Sequence, residues 1–580
     1  MSAIAGVFWR NTNGQNTARR FYFALSQAVR SVAAERHLTE VVKPNCLLVK
    51  CDYAVYDGAG IDSDGSGSVS AICGHPYVGR LAEQPRPRHL EYLAAAAREE
   101  RFAEFSETCG SFTFVRSEFR ASEQKGRLVL AADCLGVRPL YYADCGDMIV
   151  FSSTLAAIRG LGDQVTGPID ERGSVELGVL GFCLGDRTNW SNVKCVPPGT
   201  AVVLGDGENK EVRYWSMSGV PPAEDLSEKE SLQDVFDRFG EAVSLRVGKC
   251  ASAMATLSGG LDSRVVVASL RSRGVQVDSV NFAPAGSQDL VYGREIAAAM
   301  GCRHTEIPMD SGAVIDRTTA AMRALQARAQ DPERSTDQPN LIWSGDGGSV
   351  LLGHVYLTEE MVQAAEDGKF ETAVDHLIED QSWYVPRRIL RRAKASTVAG
   401  YPRLGLLESL SDAHSGDPGR RLHVMLMATD QRRHMHSHFE RIYEHRCEVQ
   451  LPFFDRKVVE AVIGRPVRPF LKHRFYNRWL ALFPRAVSSV PWQAYPGHEA
   501  CPIGERSGVL TYQWTAEFSS ASRRNDRRKY LSSTWSALRA GRYGGTVVSP
   551  VRLSLALLAT ALGVRDLTYA LRFTEAMAKQ

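Results

Sequence analysis

At 580 residues the chain is too long for one hydrophobic core, so two or three domains are expected. Its 44% hydrophobic and 23% charged residues are those of a globular protein, and a net charge of only +3 makes no electrostatic case for a nucleic-acid partner. The 12 cysteines show no framework spacing and no Cys-x-x-Cys pair, which points to reduced thiols and a cytoplasmic location.

The stretch Met1-Ser2-Ala3-Ile4-Ala5-Gly6-Val7-Phe8 meets Arg10 too soon to be a signal peptide. To about Trp215 short β-prone runs recur, at 111–115, 128–131, 148–151 and 200–203, with Asp- and Gly-containing breaks between them. That pattern predicts α+β or layered-sheet structure. Residues 219–225 read as a linker. Then strands and helices alternate: strand 253–257, helix 263–273, strand 277–282, helix 290–300, strand 305–308. Such alternation implies βαβ units and a parallel sheet. From about 360 onward the pattern is mostly helical. Basic clusters at Arg387-Arg388 with Arg391-Arg392, and at Arg523-Arg524 with Arg527-Arg528-Lys529, read as solvated helix faces. The apolar run 553–564, between Arg552 and Arg565, falls short of the roughly 20 residues a bilayer span needs and reads as a buried helix. Neither a membrane nor a nucleic-acid partner is expected.

Leu257-Ser258-Gly259-Gly260-Leu261-Asp262-Ser263 is where the chemistry concentrates. Apolar runs on both sides make it strand, tight loop, helix. Small residues let backbone N–H groups close around an anion, and the helix start adds unpaired N–H groups and the positive dipole end. Asp262 beside a phosphate makes sense with a divalent cation between them. The Gly-Lys-Ser/Thr of a Walker loop is missing. In parallel sheets ligands sit beyond the carboxyl ends of strands, where this loop falls. The bland alternative is a glycine-rich turn into an ordinary helix.

The loop looks like the pyrophosphate loop of enzymes that cut ATP to AMP and pyrophosphate. More broadly, the chain resembles the glutamine-dependent asparagine synthetases and their relatives, including β-lactam synthetases and lasso-peptide macrolactam synthetases. Five further segments carry the resemblance: the N-terminal octapeptide, Asp133-Cys134-Leu135-Gly136-Val137-Arg138-Pro139-Leu140-Tyr141-Tyr142, Val196-Pro197-Pro198-Gly199 with Tyr214-Trp215, Ser344-Gly345-Asp346-Gly347-Gly348, and Glu448-Val449-Gln450-Leu451-Pro452-Phe453-Phe454-Asp455. The resemblance implies an α+β N-terminal nucleophile-hydrolase-like sandwich (1–215), then an α/β ATP-pyrophosphatase-like domain with a parallel sheet and a helical C-terminal part (227–503), then a helical extension (504–580). It also implies ATP and Mg2+, with nucleotide contacts at Leu257, Ser258, Gly259, Gly260, Asp262, Ser263, Asn281, Phe282 and Gly345.

Departures from the family pattern shape the functional expectation. Ser2 stands where the family has its glutaminase cysteine, a nucleophile assisted by the free α-amine. Cys73-Gly74-His75-Pro76-Tyr77-Val78 stands where the family has Asn-Gly-Glu-Ile-Tyr-Asn, and losing such an oxyanion donor costs roughly 10²–10³ in rate. Together they predict an inactive glutaminase serving as scaffold; the rival is a serine hydrolase of another amide. In the second loop the family glutamate becomes Asp346 and its magnesium aspartate becomes Ser349. Asp262 and Asp346 are therefore the expected metal ligands, and Asp346 the expected catalytic base, unless it merely caps the next helix. The segment Val490-Pro491-Trp492-Gln493-Ala494-Tyr495-Pro496-Gly497-His498-Glu499 lacks the lysine that neutralises departing pyrophosphate in the family; Lys472 is the expected catalytic substitute, with Arg474 or Arg478 as others. The expected activity joins a small-molecule or peptide carboxylate to an amine through an acyl-adenylate. A macrolactam-forming ligase and a non-catalytic nucleotide-binding member are the alternatives.

Overall fold

Alternate side chains of the first strand, β1 (Ala3–Trp9), enter two different cores. Ile4 and Phe8 join Ala71, Val115, Leu128 and Leu130 in one apolar layer, while Ala5, Val7 and Trp9 join Phe21 and Leu25 in another. Burial on both faces explains why the run is apolar throughout rather than alternating.

The structure, a computed structural model, describes residues 2–10, 15–31, 38–53, 55–63, 67–120, 125–205, 209–223, 226–307, 337–338, 340–382, 385–442, 447–504, 510 and 516–578. After β1 come β2 (Leu38–Lys43), β3 (Cys46–Cys51), β4 (Ile61–Ser63), β5 (Val69–Gly74), β6 (Phe112–Arg120), β7 (Lys125–Ala132), β8 (Tyr141–Asp144), β9 (Met148–Ser152), β10 (Val193–Cys195), β11 (Thr200–Gly205) and β12 (Asn209–Arg213). They form two six-stranded antiparallel sheets, ordered β10-β8-β9-β1-β3-β2 and β12-β11-β7-β6-β5-β4. The shared layer lies between the sheets. Helix Gln15–Arg30 covers the outside of the first and helix Arg86–Arg98 the outside of the second. The result is a four-layer sandwich, helix–sheet–sheet–helix.

Past the segment read as a linker, of which 224–225 lie outside the described residues, Ser227 opens helix Glu228–Val247 with a capping box closed by Glu230. A five-stranded sheet follows: β13 (Ser252–Thr256), β14 (Gln276–Asn281), β15 (Arg303–Glu306), β16 (Leu341–Trp343) and β17 (Glu448–Gln450). Its order is β15-β14-β13-β16-β17, with every pairing parallel. Helices Leu261–Arg271 and Gln288–Ala299 connect its first strands, each starting two residues earlier than the sequence pattern predicts. The chain leaves β13 toward β14 and later returns on β13's other side as β16. That reversal opens a crevice at the carboxyl ends of β13 and β16, where such sheets bind ligands.

The two domains share buried charge. Arg246, in the helix before β13, bonds Asp455 Oδ2 at 2.7 Å and the Cys109 carbonyl of the sandwich at 2.6 Å. The Arg246 and Asp455 side chains are 1% and 2% exposed. At the C-terminal end, helices Pro550–Ala561 and Thr568–Ala578 pack against Val175 and Val179 of the first domain. The sequence reading of 553–564 as a buried helix is corrected. Leu553 and Leu557 are buried, but Leu555, Leu558 and Leu562 are 62%, 54% and 76% exposed, because only one face finds a partner. Arg387, Arg388, Arg391 and Arg392 are solvated as expected, the first two in a turn and the last two at the start of a single 3-10 turn rather than along a helix face; the side chains of Arg523 and Arg524 lie outside the described residues. Among the described residues no helix is long and apolar enough to cross a membrane.

Replacing Arg246 with Met strands the buried Asp455 carboxylate. The substitution should destabilise the protein by about 3–5 kcal/mol in chemical denaturation, whereas a double change that also makes Asp455 Asn, which removes the charge and keeps an oxygen for the Lys457 N–H that Asp455 caps, should recover much of the loss.

Candidate functional site

Gly260 opens helix Leu261–Arg271 in an extended conformation, and no side chain caps that helix. A β-carbon on Gly260 would meet only Ser258 Oγ, at 3.3 Å, so this side of the loop is open. Three loop amides are already engaged: Ser258 N–H with Ser263 Oγ at 3.0 Å, Gly259 N–H with Asp289 Oδ1 at 2.9 Å, and Gly260 N–H with Ser258 Oγ at 3.2 Å. This differs from the expectation that these amides ring an anion. What the loop offers a ligand is the uncapped helix start, with the Ser258 and Ser263 side chains lining the cleft beside it.

The second loop leaves β16 beside the first. Its Ser344 N–H donates to the Gln450 carbonyl of β17 at 3.0 Å, and Gly347 turns in the left-handed region at φ +91°. Gly347, not Asp346, caps the short helix after it, so the capping role considered for Asp346 is not taken up. Asp346 instead faces the cleft, its Oδ2 accepting from Ser344 Oγ at 2.8 Å. His438 Nε2 stands 3.8 Å from the same oxygen.

Asp262 joins the loops. Its Oδ1 accepts from Ser349 Oγ and from the Tyr476 hydroxyl, both at 2.8 Å, and its Oδ2 accepts from Ser349 N–H at 2.9 Å. Burial pushes its carboxyl up to about 6 against those hydrogen bonds, with the nearby Asp346 charge adding to the rise. Ser349, where the resemblance called for a second acid, is thus a donor to the first one.

The cleft measures about 300 Å³. Of the residues expected from sequence, Ser258, Asp262, Ser263, Gly345 and Asp346 line it. Leu257 belongs to the core, and Asn281 is buried with its side-chain amide donating to the Asp289 carbonyl at 2.8 Å. Phe282 packs against the core, and Gly259 against the helix Gln288–Ala299. Lys472 is not on the lining; its ammonium donates to Glu359 at 2.8 Å. Arg474 also bonds Glu359, and Arg478 bonds Glu228. Sequence reading missed the third wall. Gln431, His434 and Met435 come from a π-turn, Met427–Gln431, and the helix after it; Tyr495 and Tyr356 complete the rim. A π-turn inserts one residue and leaves no compositional mark, although such turns recur at functional sites.

In the sandwich, Ser2 is 3% exposed. Its N–H donates to Glu448 Oε1 at 2.7 Å, and its hydroxyl donates to the same oxygen. Glu448 belongs to β17 of the other domain, and Arg138 binds its second oxygen. Burial raises the Glu448 carboxyl, but Arg138 and the Ser2 bond outweigh that and hold it below the usual range. A carboxylate held that low is a weak base for a serine hydroxyl. Around it Cys73 is raised by burial, and His75, driven well down by burial, stacks on Tyr77 at 3.9 Å.

Two family models match the chain: a glutamine amidotransferase domain over 93–215 and asparagine synthase over 234–338. A putative asparagine synthetase (glutamine-hydrolyzing) 2 of Methanocaldococcus jannaschii is 29% identical over 153 residues, covering 26% of this chain and 29% of that protein. Asparagine synthetase (glutamine-hydrolyzing) 3 of Bacillus subtilis is 26% identical over 169 residues, 29% of this chain and 27% of that one. The matched stretch thus spans under a third of either relative's length. The glutamine amidotransferase match thus falls in the sandwich and the asparagine-synthase match in the parallel-sheet domain behind it, so the chain is similar to both halves of an asparagine synthetase in that order.

Proposed function

We propose that the chain is an ATP-dependent carboxylate–amine ligase, forming AMP and pyrophosphate, that does not hydrolyse glutamine. The observation that carries this reading is the convergence of the 258–263 and 344–348 loops, with Asp262 and Asp346, on one cleft at the reversal of the parallel sheet. In the proposed reaction a substrate carboxylate oxygen attacks the α-phosphorus of ATP. The bond to pyrophosphate breaks and an acyl-adenylate forms. An amine nitrogen then attacks the acyl carbon, AMP leaves, and Asp346 takes the amine proton. The uncapped helix start and the Ser258 and Ser263 hydroxyls face the phosphates.

The residues fit a magnesium ion, which commonly takes one or two protein carboxylates. Asp346 Oδ1 accepts no hydrogen bond among the described residues, and Asp262 Oδ2 accepts one. Asp346 and Asp262 would hold the ion, which when bound supplies positive charge beside the phosphates.

One observation favours a peptide as the acid. Among the described residues no Lys or Arg lines the cleft. A free dicarboxylic amino acid would place a second carboxylate there without a cationic partner, whereas a carboxylate carried on a peptide has neutral amides beside it.

Isotope exchange between pyrophosphate and ATP, run with a panel of free and peptide-borne acids, tests the reading. Exchange should need an acid, and peptide-borne acids should be the better ones. No exchange and no AMP release with any acid would overturn it. In Asp346→Asn, amide formation should fall by about 10²-fold or more; loss of exchange with it reads out the metal-ligand role, exchange that persists leaves Asp346 the base alone, and unchanged amide formation would remove both roles. Glutamine incubated with the protein should give no glutamate above background; turnover abolished by Ser2→Ala would revive a hydrolase. The raised carboxyl of Asp262 favours its neutral form on acidification, so magnesium-dependent ATP binding should weaken as pH falls through about 6. Asp262→Asn should bind weakly at every pH and lose that inflection, as calorimetric titration would register.

A further inference from the structure

The face of the π-turn segment away from the cleft borders a second cavity, of about 310 Å³, between the two domains. Ala428, Thr429, Arg432 and Arg433 form one wall, and Cys183 and Trp215 of the sandwich, with Met217 just after it, form part of the other. The two arginines are its unusual feature. They are adjacent, only 4% and 8% exposed, and neither has a carboxylate partner among the described residues. Arg432 donates through Nε and Nη2 to the Gly136 and Val196 carbonyls, with Cys195 Sγ at 3.5 Å; Arg433 donates through Nη2 to the Gly185 and Arg187 carbonyls. Arg432 Nη1 and Arg433 Nε and Nη1 make no hydrogen bond among the described residues. Burial draws the Arg432 guanidinium down to about 10, so it stays charged at neutral pH.

Two neighbouring buried cations are costly unless an anion meets them. The remaining lining limits which anion. At the mouth, Asp186 is paired with Lys194 at 3.0 Å, and the exposed Glu211 and Asp412 outnumber the exposed Arg213, so the mouth carries no net positive charge to draw in polyanions such as nucleotides. Trp215, Met217 and Val424 offer apolar surface. A cavity of this size is at the small end of ligand sites. We propose that this interdomain cavity binds a small organic monoanion, a carboxylate with an apolar body, through the paired guanidinium groups of Arg432 and Arg433.

The test uses the full chain with two probes of like shape, 4-phenylbutyrate and 4-phenylbutan-1-ol, in calorimetric titration. The carboxylate should bind saturably and roughly tenfold or more tighter than the alcohol, and Arg433→Met should cost it roughly tenfold or more. ATP should not compete for the site. Because Arg433→Met removes bonds to the sandwich and can fail to fold, Ser409→Phe is the second variant. Ser409 lines the cavity from helix Ala395–Asp412 and, among the described residues, its hydroxyl bonds only the Gly405 carbonyl. A phenyl group there should fill the space and abolish binding while the protein still melts cooperatively. No carboxylate binding, a smaller preference over the alcohol, or undiminished binding to Ser409→Phe would each overturn the proposal.

Discussion

A β-carbon on Gly345 would lie 2.5 Å from Ser263 N, and one on Gly348 would lie 2.6 Å from Asp262 Cγ. No side chain larger than hydrogen allows the second loop to rest on the helix start at that spacing. Much of the cleft follows from this approach. It brings Ser349 N–H and Oγ onto the Asp262 carboxylate, buries that carboxylate, and moves its protonation toward neutrality. A second acid at 349 would meet Asp262 as a like charge at contact distance; serine meets it as a donor. The outcome is a division between two carboxylates. Asp262 is tied to Ser349 and Tyr476, while one oxygen of Asp346 accepts no hydrogen bond among the described residues.

The sandwich supports this cleft from behind. Ser2, at the head of β1, bonds Glu448, the first residue of β17. In the parallel pairing of β16 with β17, Trp343 lies opposite Gln450, whose carbonyl takes the Ser344 N–H. Ser344 in turn bonds Asp346. A continuous set of hydrogen bonds and strand pairing therefore runs from Ser2 to the acidic loop. The buried hydroxyl at residue 2 holds Glu448 in place, and the Arg138 partner keeps the junction ionic.

The parts of this site legible in the sequence are those whose signal is local. The hexapeptide 258–263 announces itself because strand, glycine loop and helix start are contiguous, and the 344–348 loop because its glycines bracket an acid. Alternating strand and helix patterns likewise give the parallel sheet, with helix starts displaced by two residues because Gly260 and Ser287 begin their helices before the apolar period does. Signals that depend on distant partners were not legible. Asn281 occupies the strand end a ligand residue would occupy, but its amide is needed by the Asp289 carbonyl. Gln431 and His434 reach the cleft only through an inserted π-turn residue. The outward leucines of Pro550–Ala561 show that an apolar composition does not fix how many faces of a helix are covered.

Charge balance is the remaining constraint on the proposed chemistry. Lys472, Arg474 and Arg478 lie near one another in sequence, yet Glu359 engages the first two and Glu228 the third. Lys472 and His473 also adopt consecutive left-handed conformations, at φ +57° and +62°. Such strain costs on the order of 1–3 kcal/mol per residue and persists only where packing enforces it. Here the His473 ring packs over Gly353 and stacks on Tyr495 of the cleft rim, so the turn that directs Lys472 toward Glu359 also seats Tyr495. With the cations of that segment paired elsewhere, a triphosphate entering the cleft meets two carboxylates and, of the described residues, no Lys or Arg. On the proposed reading, its charge would be answered by the uncapped helix start and by a metal ion, for which the Asp346 oxygen that accepts no hydrogen bond among the described residues is the position offered.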